Sequence, residues 1–117
     1  MKTVQFLAVI LIMACSMDEA PTPVVVATVE DLVEFDDGYA KTGHVALKLE
    51  NQTKIPVYSF TVALTLKTDK NTYYQTLRDD RGVPPETTIW VNVQVQYVDS
   101  SESSDLDGIQ ISDLYFE

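Results

Sequence analysis

Three stretches decide the fold: "HVALKLEN" (44–51), "VYSFTVALTLK" (57–67) and "TIWVNVQVQYV" (88–98). In the first, Val45, Leu47 and Leu49 share one side, with Ala46, Lys48 and Glu50 on the other. In the second, Tyr58, Phe60, Val62, Leu64 and Leu66 alternate with Ser59, Thr61, Ala63 and Thr65. In the third, Ile89, Val91, Val93, Val95 and Tyr97 alternate with Trp90, Asn92, Gln94 and Gln96. A period of two is that of a strand with one buried face, and no helical period competes with it. The pattern predicts an all-β fold, an antiparallel β-sandwich of the immunoglobulin-like kind with about six to seven strands.

The flanking segments extend the reading. From Val24 to Phe35, residues Val25, Ala27, Val29, Val33 and Phe35 are in phase, and Asp31 interrupts them, which predicts an edge strand or a bulge. Ile109 to Phe116 slips phase between Ile111 and Leu114, again predicting a bulge. Turn chemistry separates the strands at Asp36-Asp37-Gly38, at "NQTKIP" (51–56), at Asp69-Lys70-Asn71-Thr72, at "RDDRGVPPE" (78–86) and at "DSSESSDLDG" (99–108). All four glycines are expected in or beside turns.

Upstream, Val4 to Ala14 is an apolar run of 11 residues broken only by Gln5, and it ends at Cys15, the sole cysteine. A spanning helix needs about 20 apolar residues, whereas about 7–15 suits the apolar region of a signal peptide. Residues 16–23, "SMDEAPTP", are polar and carry two prolines, as a semi-stiff spacer would. Ordinary secretory cleavage after Ser16 and an intermolecular disulfide through Cys15 are the other readings of this segment.

Two resemblances follow. "Ile12-Met13-Ala14-Cys15" resembles the lipobox of bacterial lipoproteins. It implies that residues 1–14 form a signal peptide removed before Cys15. Diacylglycerol would join the Cys15 sulfur and an acyl chain such as palmitate the new amine, giving the two or more chains that durable anchoring needs. Residues 15–23 then form a lipidated spacer and residues 24–117 the folded domain. Ser16 after the cysteine resembles the outer-membrane sorting pattern of enteric-type bacteria. The Asp18-Glu19 pair loosely resembles acidic surface-export signals of some lipoproteins. The expected location is the bacterial cell envelope, with the membrane bound through lipid.

The second resemblance lies in the domain. "LENQTKIPVYSFTVALTLKTDKN" followed by "VPPETTIWVNVQV" looks like the FxLYD-type immunoglobulin-like domains of bacterial lipoproteins. Asn51, Thr53, Pro56 and Val57 match the first element of that pattern and Asp69 to Asn71 the turn, with Asn71 where glycine is usual. Pro85-Glu86 stands where the family has Pro-Gly. The resemblance implies a sandwich over residues 24–117 and no catalytic residues.

Composition narrows the functional classes. The net charge of −10 repels phosphate backbones, so no nucleic-acid partner is expected. The single histidine, His44, cannot make a histidine-rich metal site, and no nucleophile–base pair or phosphate-cradling glycine loop is present, so no enzymatic activity, metal or other cofactor is expected. In "SSDLDG" (103–108) Asp105, Asp107 and Gly108 mimic part of a calcium loop, but the register puts Ser103 first and Leu114 last, so the loop at 99–108 reads as a solvated acidic loop with at most a weak calcium site. Asp79 and Asp80 are expected to pair locally with Arg78 and Arg81. Trp90 has two readings. Folded over the end of the sandwich it is core; displayed beside Asn92, Gln94 and Gln96 it is part of a binding face for a protein or a sugar. The expected role is a non-catalytic binding, adaptor or assembly-support module with a protein partner in the envelope. The alternatives are a surface protein that self-associates through a sheet edge and a glycan-binding accessory.

Overall fold

The computed structural model describes residues 9–12 and 22–116. Strand β1 is Val9–Ile12, β2 Val24–Asp36, β3 Lys41–Asn51, β4 Phe60–Lys67, β5 Thr72–Asp79, β6 Thr88–Gln96 and β7 Ile109–Phe116, with one 3-10 turn at Leu106–Gly108. They form two sheets, β1-β2-β3-β6 and β5-β4-β7, and every strand pair is antiparallel. No helix among the described residues is long and apolar enough to cross a membrane.

The core is what the alternation predicts. Val45, Leu47 and Leu49 of β3 and Val91, Val93 and Val95 of β6 face Phe60, Val62, Leu64 and Leu66 of β4 and Ile109, Ile111 and Leu114 of β7, all buried. Each fully buried aliphatic side chain contributes roughly 1.5–3 kcal/mol relative to exposure, so these four rows hold the two sheets together. The domain needs no disulfide to close this core.

Both expected bulges are present, and the first has a consequence that the phase reading missed. Val29 pairs with Leu47 but Asp31 with Ala46, so Glu30 is an extra residue in β2. One inserted residue moves everything after it to the other face. Leu32, not Val33, then packs against the core, while Val33 and Phe35 turn outward, 54% and 63% exposed. In β7 the shift falls opposite Ala63/Leu64 and skips Ser112.

Two smaller expectations are corrected. Tyr58 is exposed rather than inward, because β4 starts only at Phe60 and Tyr58 lies in the loop before it. Gly43 lies inside β3, not in a turn; a Cβ there would come within 2.6 Å of the Tyr97 hydroxyl, so the glycine makes room for a buried ring.

The loop 51–56 is organised by Asn51, which is buried. Its amide nitrogen donates to the carbonyls of Ile55 (2.8 Å) and Val83 (3.1 Å), and its oxygen accepts from the Thr53 N–H (2.9 Å) and hydroxyl (2.7 Å). The side chain thereby uses both donors and both acceptor sites. It joins the end of β3 to the long 78–86 crossing, which is also tied down by the Val57–Val83 bridge. Glu86, at the turn into β6, adopts a left-handed backbone with φ of 53°.

Candidate binding face

The register of β6 against β3 and of β3 against β2 builds the outer face of the larger sheet. Trp90 lies across from Lys48, Asn92 from Ala46, Gln94 from His44 and Gln96 from Thr42. One strand further, Thr28 adjoins Lys48, Val33 adjoins His44 and Phe35 adjoins Thr42. Trp90, Asn92, Gln94 and Gln96 therefore form one exposed row, as the period of two requires. Trp90 is 57% exposed, which corrects the reading that folds it over the end of the sandwich. Val91 and Ile89, its chain neighbours, take the inward places.

The face is apolar at two corners and amide-lined between them. Phe35 stands edge-on to His44, with ring centroids 6.1 Å apart at 84°. His44 is thus a partly covered member of this surface. Lys48, across from Trp90, pairs with Glu30, the extra residue of the β2 bulge, at 4.0 Å. Residues 88–98 carry no charge. Each Asn or Gln offers two N–H donors and a carbonyl, and the indole offers a flat apolar surface with one donor. The uncharged β6 row costs less to desolvate than a charged row would, and the charges beside it, Lys48 and Glu30, are paired with each other. The arrangement suits adhesion of a flat polar–apolar surface.

The remaining polar clusters are structural. At one end of the sandwich Glu102, fully buried, accepts from the Thr68 hydroxyl (2.5 Å), the Tyr73 hydroxyl (2.7 Å) and the Asp99 N–H (2.9 Å). Burial pushes its carboxyl up, but these bonds outweigh that and hold it at about 2. Next to it the Tyr97 hydroxyl donates to Glu34 (2.6 Å), which also accepts from the Ser104 N–H (2.8 Å). Burial and the Glu34 carboxylate raise the Tyr97 hydroxyl above the ordinary phenol range. Tyr73 and Tyr97 stack at 5.6 Å. The acidic loop is exposed over most of its length, as expected, but it is latched to the β4–β5 hairpin by the buried Glu102 carboxylate and by bonds between Ser103 and Asp69. Nothing in the sequence distinguishes Glu102 from Asp99, Asp105 or Asp107 beforehand.

No group of three or more His, Cys, Asp or Glu side chains converges among the described residues. Asp99 is occupied by Ser101 and by Lys70, while Asp105 and Asp107 are exposed about the 3-10 turn. Arg81 pairs with Asp79 through its Nε and a short contact from its terminal nitrogen, and Arg78 with Asp80 at 3.1 Å, the local pairs expected. Cys15 lies outside the described residues. Strand β1 falls within the stretch expected to be a signal peptide and pairs with the β2 edge, Val9 to Ile12 against Ala27 to Val24. No protein-family model, curated protein or solved structure matches the chain.

Proposed function

We propose that this chain is a lipid-anchored protein of the bacterial cell envelope, held at the outer membrane, whose sandwich acts as a non-catalytic binding or adaptor module. The observation that carries the binding role is the exposed row Trp90, Asn92, Gln94 and Gln96 on an uncharged strand of a chain with net charge −10. The partner is a protein surface that stacks on the indole and hydrogen-bonds to the amides.

The anchor rests on the sequence. Cys15 follows an 11-residue apolar run and precedes a proline-bearing spacer. Lipid on its sulfur, with at least one further chain on its amine, would hold the domain without a spanning helix. On this reading β1 leaves with the signal peptide, and β2 becomes an edge strand. Kinship with FxLYD-type domains belongs to the same proposal. It is supported by Glu86, whose left-handed backbone occupies the place where those domains carry glycine.

Two variants test the two halves. Cys15→Ser should shift the protein from the detergent phase to the aqueous phase or stop its processing; unchanged partitioning removes the anchor. Gln94→Lys, which adds charge to the exposed row without touching the core, should reduce the yield of partner crosslinked in intact cells at least tenfold. An unchanged yield removes the binding face.

A further inference from the structure

We propose that two copies of this chain join edge to edge through β6, antiparallel about a two-fold axis at Asn92. This interface is distinct from the Trp90 face. It uses the backbone edge of the strand, stands without the anchor, and leaves the face open in both copies.

Two backbone bonds fix which way the strand's groups point. The Tyr97 N–H donates to the Lys41 carbonyl (2.8 Å), and the Asn51 N–H donates to the Thr87 carbonyl (2.9 Å). In an antiparallel ladder, residues that bond to the neighbour alternate with residues that do not. Odd positions from 87 to 97 therefore bond to β3. Thr88, Trp90, Asn92, Gln94 and Gln96 direct their N–H and C=O groups away from it, and among the described residues β6 is the last strand of its sheet.

The chain defends its other edges. On the side away from β6, β1 covers β2, and β2 is the edge once the segment read as a signal peptide is removed. β2 carries Glu30, Asp31, Glu34 and Asp36 and a bulge. β5 ends in Arg78-Asp79, and β7 carries Asp113 and a register shift. Short length, charge and bulges are the ordinary means of blocking edge pairing. β6 has none of them: nine residues, no charge, no proline, and an unbroken register with β3.

The occupant is a second copy because the edge is complementary to itself. Two molecules of net charge −10 repel, and only an interface without facing acids lets them approach. A two-fold axis at Asn92 overlaps the whole of β6 with its counterpart. Thr88 of one copy meets Gln96 of the other, Trp90 meets Gln94, and Asn92 meets Asn92. Five residue pairs, each exchanging two bonds, give about ten backbone hydrogen bonds. No like charges face one another along the seam. Each indole gains a cross-strand amide to pack on, and the two outer faces merge into one continuous sheet.

The test uses the full chain and reads amide hydrogen exchange residue by residue at low and at hundredfold higher protein concentration. The amides of Trp90, Gln94 and Gln96 should slow at least tenfold at the higher concentration, while those of Val91 and Val93 stay slow throughout. Asn92→Pro removes only an outward-facing N–H, which an edge strand tolerates. It should abolish the concentration dependence and leave Val91 and Val93 protected. If Asn92→Pro also exposes Val91 and Val93, Asn92→Lys takes its place, setting like charges against each other at the axis, with the same expected result. Even-position amides that exchange at one rate at every concentration overturn the proposal. So does a slowing that survives in the folded Asn92 variant. Partner crosslinking through the Trp90 face is read separately, so either proposal can fail alone.

Discussion

Replacing Trp90 by alanine separates a surface aromatic from a core one. The side chain is 57% exposed, so less than half of it is covered. A fully buried tryptophan covers about 150–250 Å², and the covered fraction here corresponds to about 65–110 Å². At ~25 cal/mol per Å² that area stabilises the fold by roughly 1.5–3 kcal/mol as an upper bound. Alanine keeps part of it. The expected loss is about 1–2 kcal/mol, against ~3–5 kcal/mol for truncation of a core aromatic. In a domain of this size the melting temperature should fall by about 5–15 °C, with the cooperative transition intact. A central aromatic contact is worth ~2 kcal/mol or more to an interface, and ~1.4 kcal/mol is already a tenfold change in affinity. The assay is a thermal melt by circular dichroism, followed by partner crosslinking well below the midpoint. A loss of stability as large as that of Leu64→Ala refutes the exposure argument. A folded variant that binds as before refutes the role given to the indole.

Three further outcomes follow from the geometry. Leu64 is buried and Thr65 beside it is partly exposed; Leu64→Ala should cost ~2–5 kcal/mol in urea unfolding and Thr65→Ala about 0.5 kcal/mol or less, and equal losses would mean a misread register. Glu86→Gly should relieve the left-handed backbone at φ 53° and raise stability by about 0.5–1 kcal/mol, seen as a higher midpoint; a lower midpoint would show that the turn is not strained. Glu102 is held at about 2, below its ordinary value of 4.5, so the unfolded chain takes up its proton first as pH falls. The stability it lends is complete above about pH 5 and is lost on the way down to about pH 2. Glu102→Gln should flatten that part of the curve of melting temperature against pH, and an unchanged slope would assign the acid sensitivity to other groups.

The parts of the fold that were legible were those with an unbroken period of two. In β3, in β4 and in β6 the inward rows agree with the structure residue by residue, because each strand buries one face along its length. Where a single residue is inserted, the sequence shows that something happens but not which side wins. Asp31 signalled the bulge in β2, yet only the pairing shows that Glu30 is the extra residue and that Val33 and Phe35 join the outer face. Trp90 was ambiguous for another reason. Alternation pointed it outward, while the usual burial of large aromatics argued the reverse, and only the register against Lys48 decides between them. Glu102 was illegible because its burial depends on Thr68 and Tyr73, some thirty residues away in the chain. Asn51 lay in a motif that the resemblance singled out. Its function there, satisfying four polar groups around one buried amide, required coordinates.

The proposed binding role stands or falls with the outer face of β6 meeting a partner, which crosslinking from that face reads directly. A photo-crosslinking side chain is introduced at Gln94, on the proposed face, and in a parallel strain at Gln110, exposed on β7 of the other sheet. Both positions are solvent-facing, so both variants should fold alike. After irradiation of intact cells an adduct with a different protein is expected at position 94, beside the adduct with a second copy that the β6 seam would give, and none at position 110. Equal adducts at both positions, or at position 94 only adducts with a second copy of this chain, would contradict the binding role.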